Sequence, residues 1–314
     1  MGPGRPLGEL GQELGGGYGP ALPRAYVLDI RHVGLEQLAV LIPQRQPPHP
    51  LVRRLAGLVD PGGQPLVQAF TPGGDLVASF LAYGPKFTGG VRVAVGDIDG
   101  DGNDDIVTAP GPGGGPHIRI FSMQGALKGE FFAYNQKFLG GVSAAVGDLD
   151  GDGVEEIITA PGAGAPPQVR GFRLNGKEIA SFFVFSPKYL GGTQVAVGDL
   201  DGDRRAEIVA AMSQKPWSVR SFTKDGALQG VFPSVPMADS FSLALIDTDG
   251  DGKKGIIFGL RRAGLAAVIS SREGKGFIVA PSGPKNTALL GLASFDPSGS
   301  GKDELLVISP GKLF

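Results

Sequence analysis

The chain has 314 residues, 41% of them hydrophobic, with 29 basic and 31 acidic side chains, a formal charge of −2 and no cysteine. The near-balance of charge argues against a nucleic-acid footprint or a polybasic membrane patch, and the lack of cysteine excludes disulfides, thiolate metal sites and cysteine catalysis. No apolar run approaches the ~18 residues of a membrane span, and the first residues, Met1-Gly-Pro-Gly-Arg-Pro-Leu, have no apolar stretch like that of a signal peptide.

Glycine (53 residues) and proline (26 residues) are abundant, and the apolar residues fall in short clusters between them. That pattern fits many short strands better than disorder. Residues 1–24 read as a Gly/Pro-rich tail and 25–314 as a run of repeats. The first unit, near 25–90, is degenerate: Asp29 precedes Leu38 as later aspartates precede their strands, but the acidic loop is lost and extra residues sit around 44–62. The second unit, near 91–141, is the clearest, with strands expected at 91–98, 106–109, 117–122 and 129–134. Units near 142–192 and 193–239 follow it closely, and their leading aspartates Asp97, Asp148 and Asp199 are evenly spaced (148 − 97 = 199 − 148 = 51). Further acidic loops open at Asp247, in a unit near 240–288, and in decayed form at Asp296, in a unit near 289–314 that stops after two strands.

A period near 50 with four short strands per unit predicts an all-β fold. The expected architecture is a β-propeller of four-stranded blades with about six units, the first and last degenerate, closing as a five- to seven-bladed ring. The last half-unit is expected either to pair with N-terminal strands or to continue in a longer chain.

The loop Asp97-Ile-Asp-Gly-Asp-Gly-Asn-Asp-Asp105 places carboxylates at positions 1, 3, 5 and 9. Calcium takes six to eight oxygens, and a tight loop with alternate residues turned inward supplies them. Asp97, Asp99, Asp101 and Asp105 are therefore candidate ligands, with the position-7 carbonyl of Asn103. Asp148, Asp150, Asp152 and Glu156 repeat the set, with Val154 at position 7. Asp199, Asp201, Asp203 and Glu207 repeat it again, with Arg205 at position 7, but Arg204 replaces the glycine of position 6 and should strain the turn. The fourth loop keeps Asp247, Asp249 and Asp251 and has Gly255 at position 9; the fifth, with Asp296 and Glu304, has only two carboxylates. An EF-hand needs a glutamate at position 12 and flanking helices. Position 12 is Thr108, Thr159, Ala210 and Phe258, and the flanks are strand-like. Asp-Gly turns that join strands without a metal are the plain alternative.

The repeats resemble the FG-GAP repeats of integrin α-subunit propellers and of bacterial proteins that share them. Phe138-Leu-Gly-Gly141 and Ala160-Pro161 occupy the places of the two name-giving motifs, with the acidic loop after the first. The resemblance implies a propeller of up to seven blades at the cell surface or outside the cell. It also implies structural calcium in hairpin loops, filling two to four of those present, and a protein or glycan partner on the opposite face.

No nucleophile elbow or phosphate loop occurs, and the three histidines share no ligand spacing. The chain is therefore expected to be an adhesion or interaction module rather than an enzyme. A lectin, a polysaccharide lyase or an accessory domain of a longer surface protein is the alternative. Lys86, Lys137 and Lys188 recur on the expected partner face with Tyr83, Tyr134 and Trp217, while Arg119, Arg170 and Arg220 recur at one strand position where they should brace neighbouring blades.

Overall fold

The computed structural model describes residues 25–27, 38–41, 57–58, 64–70, 76–215, 217–232, 241–247, 250–260, 265–269, 276–279, 291–295 and 304–308. Every helix or strand among them is a strand. The chain opens with β1 (Ala25–Val27), β2 (Leu38–Leu41), β3 (Gly57–Leu58), β4 (Leu66–Phe70) and β5 (Leu76–Leu81). Sheet I follows as β6 (Val91–Gly96), β7 (Asp105–Pro110), β8 (His117–Ser122) and β9 (Leu127–Phe132). Sheet II is β10 (Val142–Gly147), β11 (Glu156–Pro161), β12 (Gln168–Phe172) and β13 (Glu178–Phe183). Sheet III is β14 (Thr193–Gly198), β15 (Glu207–Met212), β16 (Val219–Phe222) and β17 (Leu228–Phe232). Sheet IV is β18 (Phe241–Ile246), β19 (Gly255–Leu260), β20 (Leu265–Ile269) and β21 (Gly276–Val279), before β22 (Gly291–Phe295) and β23 (Glu304–Ile308). No helix of the described residues is long and apolar enough to cross a membrane.

Sheets II, III and IV are four-stranded antiparallel meanders, as the repeat predicts. Sheet I has the same meander with β3 added beside β6, so it is five-stranded. The degenerate units depart further. β2 pairs in parallel with β4 in a three-stranded sheet, and β1 pairs in parallel with β23, Ala25 opposite Leu305, completing the two C-terminal strands. The last half-unit thus takes its third strand from the first. The 1–24 tail and Asp29 lie outside the described residues.

The fourth strand of sheet I begins two residues before the expected 129. Gly125, at φ 85°, donates its N–H to Ser122 at 2.8 Å and closes a short hairpin, so the ladder starts at Leu127 and leaves Ala133 and Tyr134 for the next sheet.

The core lies between sheets rather than within any one of them. Along β7 the side chains alternate: Ile106 joins Val67, Val93 and Phe121, while Val107 joins Ile118, Val142 and Ile157 of sheets I and II. The same two-residue period sends Ile157 toward sheet I and Ile158 toward sheet III, where it meets Val195 and Ile208. β7, β11 and β15 are buried along their whole length because each is covered on both faces. No single sheet has a partner within itself, so the apolar burial that stabilises each one comes from its neighbours.

Polar bonds cross the same interfaces at a fixed register. Arg119, Arg170 and Arg220 donate to the carbonyls of Ala82, Ala133 and Val184 of the preceding repeat at 2.6, 3.1 and 3.3 Å, so the recurring arginines are inter-sheet braces. Tyr83 and Tyr134 are half-buried and donate to the carbonyls of His117 and Gln168 at 2.8 and 2.9 Å. They hold consecutive sheets together rather than forming an aromatic rim. The two name-giving motifs also meet backbone to backbone: a Cβ on Gly162 would lie 2.0 Å from the Gly140 carbonyl oxygen, a space only glycine leaves open.

Candidate metal centres

In a four-stranded meander the turns after the first and third strands lie at one end, and the turn after the second strand lies at the other. The acidic loops join first and second strands. They therefore share their end of the molecule with the β8–β9, β12–β13 and β16–β17 hairpins.

The acidic backbone is built the same way in each described repeat. The leading aspartate takes the N–H of position 4 on one oxygen and that of position 6 on the other: Gly100 and Gly102 on Asp97 at 2.8 Å each, and Gly151 and Gly153 on Asp148 at 2.7 and 2.9 Å. Gly202 and Arg204 bond Asp199, and Gly250 and Gly252 bond Asp247 at 2.8 and 2.9 Å. Position 6 needs a positive φ, met by Gly102 and Gly153 at 84° and by Gly252 at 85°. Arg204 is forced to 71°, the one non-glycine residue with positive φ among those described. This is the strain expected at that position, on the order of 1 kcal/mol. Each loop is also fastened to the next: the carbonyls of Asp97, Asp148 and Asp199 accept from the N–H groups of Glu155, Ala206 and Lys254 at 3.0, 2.8 and 2.7 Å.

These turns gather carboxylates. Ligand-capable oxygens lie within 4.8 Å of one another in Asp97, Asp99 and Asp101, in Asp148, Asp150 and Glu156, and in Asp199, Asp201 and Asp203. Asn103, Val154 and Arg205 occupy position 7 of their loops, where their N–H groups bond the position-5 aspartates. In the fourth loop Asp247 is buried and Lys253 donates to Asp251, while Asp249 lies outside the described residues, as does Asp296.

What meets the carboxylates differs from loop to loop. In loop 97–105, Lys128 of β9 enters the cluster. Its Nζ lies 2.8 Å from Asp105, also bonds Asp99, and is 3.8 Å from Asp101. Burial pushes the Asp105 carboxyl up to about 6 against the pull of Lys128. Burial lowers the Lys128 ammonium, but its bonds to Asp105 and Asp99 outweigh this and raise it.

In loop 148–156 two cations approach. Arg173 lies 3.1 Å from both Asp150 and Asp152 and 2.7 Å from Glu156, and Lys224 reaches across from sheet III to Asp150 at 2.7 Å. The Lys224 bond holds Asp150 below the usual carboxylate range, and burial raises Glu156 despite the Leu149 N–H and Arg173. The fit is incomplete. Arg173 meets Glu156 Oε1 off the hydrogen-bonding direction, and both that atom and Asp150 Oδ1 are buried without a donor. Two buried carboxylate oxygens without a hydrogen bond leave this loop less completely paired than loop 97–105, although Arg173 already stands 2.7 Å from one of them.

In loop 199–207 no cationic side chain of the described residues comes within ion-pair distance of Asp199, Asp201, Asp203 or Glu207. Lys253 passes over Gly202 without reaching them. Burial, with the charges of Asp201, Asp199 and Asp203, pushes Glu207 up to about 7, opposed by the Leu200 N–H at 2.8 Å. Four carboxylates on a preformed turn, one of them nearly buried, suit a divalent cation.

Reading the repeats for identity missed Lys128, Arg173 and Lys224, because their positions in the repeat differ. The signal lay in the topology: the turn between the third and fourth strands, and the strand residues next to it, lie at the acidic end.

At the opposite end Lys86, Lys137 and Lys188 are exposed, as are Leu139 and Leu190, and Lys215 stands over Trp217 with Nζ 5.0 Å from the ring centre.

No curated protein sequence matches the chain. Among solved structures it is similar to an Agrocybe aegerita lectin described as recognising non-reducing terminal N-acetylglucosamine, with 14% identity, a TM-score of 0.46 and coverage of 82% of this chain and 74% of the lectin. It is similar also to the exotype rhamnogalacturonan lyase YesX, with 14% identity, a TM-score of 0.42 and coverage of 92% of this chain and 57% of the lyase. Residues 97–159, which run from the first acidic loop through the second, match the FG-GAP-like repeat family, so the chain carries an FG-GAP-like repeat across the junction of sheets I and II.

Proposed function

We propose that the chain is a calcium-stabilised β-propeller that works outside the cell or at its surface as an adhesion or interaction module, not as an enzyme. The observation that carries this reading is loop 199–207, where Asp199, Asp201 and Asp203 hold ligand oxygens within 4.8 Å of one another on a turn already held by backbone bonds, with the nearly buried Glu207 near enough to feel their charges. Calcium there supplies positive charge and links sheet III to sheet IV through the loop that Lys254 already fastens. Its role is structural.

In this reading the sheets close into a ring through β1 and β23, whose pairing joins the first and last repeats. The calcium end is rigid, and the opposite end, with Lys86, Lys137, Lys188, Leu139 and Leu190 exposed, receives a protein or glycan. Melting in calcium and in chelator, with calorimetry for bound metal, tests the first part, because a ligand that binds only the folded state must raise its stability. Equal melting temperatures and no heat of binding would sink it. Glycan-array and cell-surface binding, compared between the natural chain and one with the three lysines replaced, tests the second. An assay for unsaturated sugar products in calcium tests the absence of lyase activity.

A further inference from the structure

We propose that Lys128 is a tethered cation that takes the place of a divalent metal in loop 97–105, so that this loop is metal-independent although its sequence carries the full set of ligand positions. The inference rests on the reading of the acidic loops as cation sites. The Lys128 ammonium bonds both oxygens of Asp105, at 2.8 and 3.0 Å, and Oδ2 of Asp99, and stands 3.8 Å from Asp101. It therefore serves positions 3, 5 and 9, three of the four carboxylates a metal would use. No carboxylate oxygen of this loop is buried without a hydrogen bond, whereas loop 148–156 leaves Asp150 Oδ1 and Glu156 Oε1 without one. Asp105 is 1% exposed and Lys128 22%, so the pair is largely shielded from water. A divalent cation at the same centre would stand beside the ammonium and be repelled by it, and it could enter only if Lys128 swung out.

A cation rooted on the fourth strand belongs to one repeat, whereas in loop 148–156 Arg173 reaches the same positions 3, 5 and 9 from the turn between the third and fourth strands. The positions matching Lys128 on the fourth strands of sheets II and III are Ile179 and Gln229, neither of which carries a charge. A side chain anchored on β9 is present at any calcium concentration. Sheet I thus keeps its acidic loop folded where loop 199–207 would lose its ligand.

The test compares the natural chain with Lys128→Gln and Lys128→Arg by calcium calorimetry and by melting in chelator and in calcium. Lys128→Gln should bind one more calcium ion than the natural chain, melt about 4 °C lower in chelator and recover in calcium, while Lys128→Arg should behave as the natural chain does. In an otherwise natural chain, Asp99→Asn should leave the calcium stoichiometry unchanged. Loss of a calcium site in that variant, or equal stoichiometry and equal chelator sensitivity in Lys128→Gln and the natural chain, would overturn the proposal and leave calcium in the other loops standing. Calcium binding by Lys128→Gln alone would support the proposal and refute the calcium reading of the other loops. Binding by no chain at all would refute both.

Discussion

Loops 97–105 and 199–207 have the same turn and carboxylates at the same positions 1, 3, 5 and 9, yet they differ in how their charge is met. In the first, a lysine from the fourth strand of the same sheet stands among the acids. In the other, no described side chain does so, and Glu207 is pushed up to about 7. Loop 148–156 lies between, with Arg173 and Lys224 present but two oxygens orphaned. A repeat motif thus specifies a cage but not its contents. The occupant depends on residues outside the motif, at positions free to differ from one repeat to the next.

The sharpest way to break the comparison is at the intermediate loop. Arg173→Ala leaves Glu156, 0% exposed, without its guanidinium. In chelator this should cost about 3 kcal/mol by urea denaturation, the low end for a broken buried pair because Arg173 is partly exposed. Calcium, or the second change Glu156→Gln, should restore much of the loss. A cost below about 0.5 kcal/mol would show that Arg173 is an ordinary surface charge.

The next effect is on pH. Glu207 titrates higher in the folded chain, about 7, than its ordinary 4.5, so between those values the folded state binds more protons than the unfolded. Metal-free stability should therefore fall as pH rises through that window, by about 2 kcal/mol between pH 5 and 7 from this group. Glu207→Gln should remove that part of the slope, and calcium should flatten it; a slope unchanged by both would contradict the assignment.

A smaller effect separates strain from charge. Arg204→Gly relieves the one positive φ borne by a non-glycine residue among those described and should stabilise by about 1 kcal/mol, while Gly153→Arg should cost a similar amount. Thermal melts in chelator would show both, and a destabilised Arg204→Gly would mean that the arginine makes a contact worth more than the strain. The smallest effect is at the far end: Lys86, Lys137 and Lys188 to Ala should change stability by no more than about 0.5 kcal/mol, leaving any loss of partner binding interpretable.

Much of this was legible before the fold. The spacing of Asp97, Asp148 and Asp199 located the repeats, the short apolar clusters between Gly/Pro-rich turns located the strands, and the recurring Arg119, Arg170 and Arg220 pointed to braces between sheets. The degenerate units were harder. Nothing local marks the parallel pairing of β1 with β23, because it joins residues at opposite ends of the chain and its partner is chosen by packing rather than by a turn. Tyr83 and Tyr134 read from sequence as part of the partner face, and only their bonds to the carbonyls of the next sheet place them between sheets.

The sequence by itself therefore determined the strand order within each meander, the end at which the acidic loops sit and the carboxylates each loop presents. These follow from local rules: a period of two along strands, glycine at positive φ and fixed turn spacing. Tertiary structure alone decided which loop holds its own cation. Lys128 is 23 residues from Asp105 in sequence and Lys224 is 74 from Asp150, so each meets its carboxylate only after the sheets have formed and, for Lys224, only after two of them have docked.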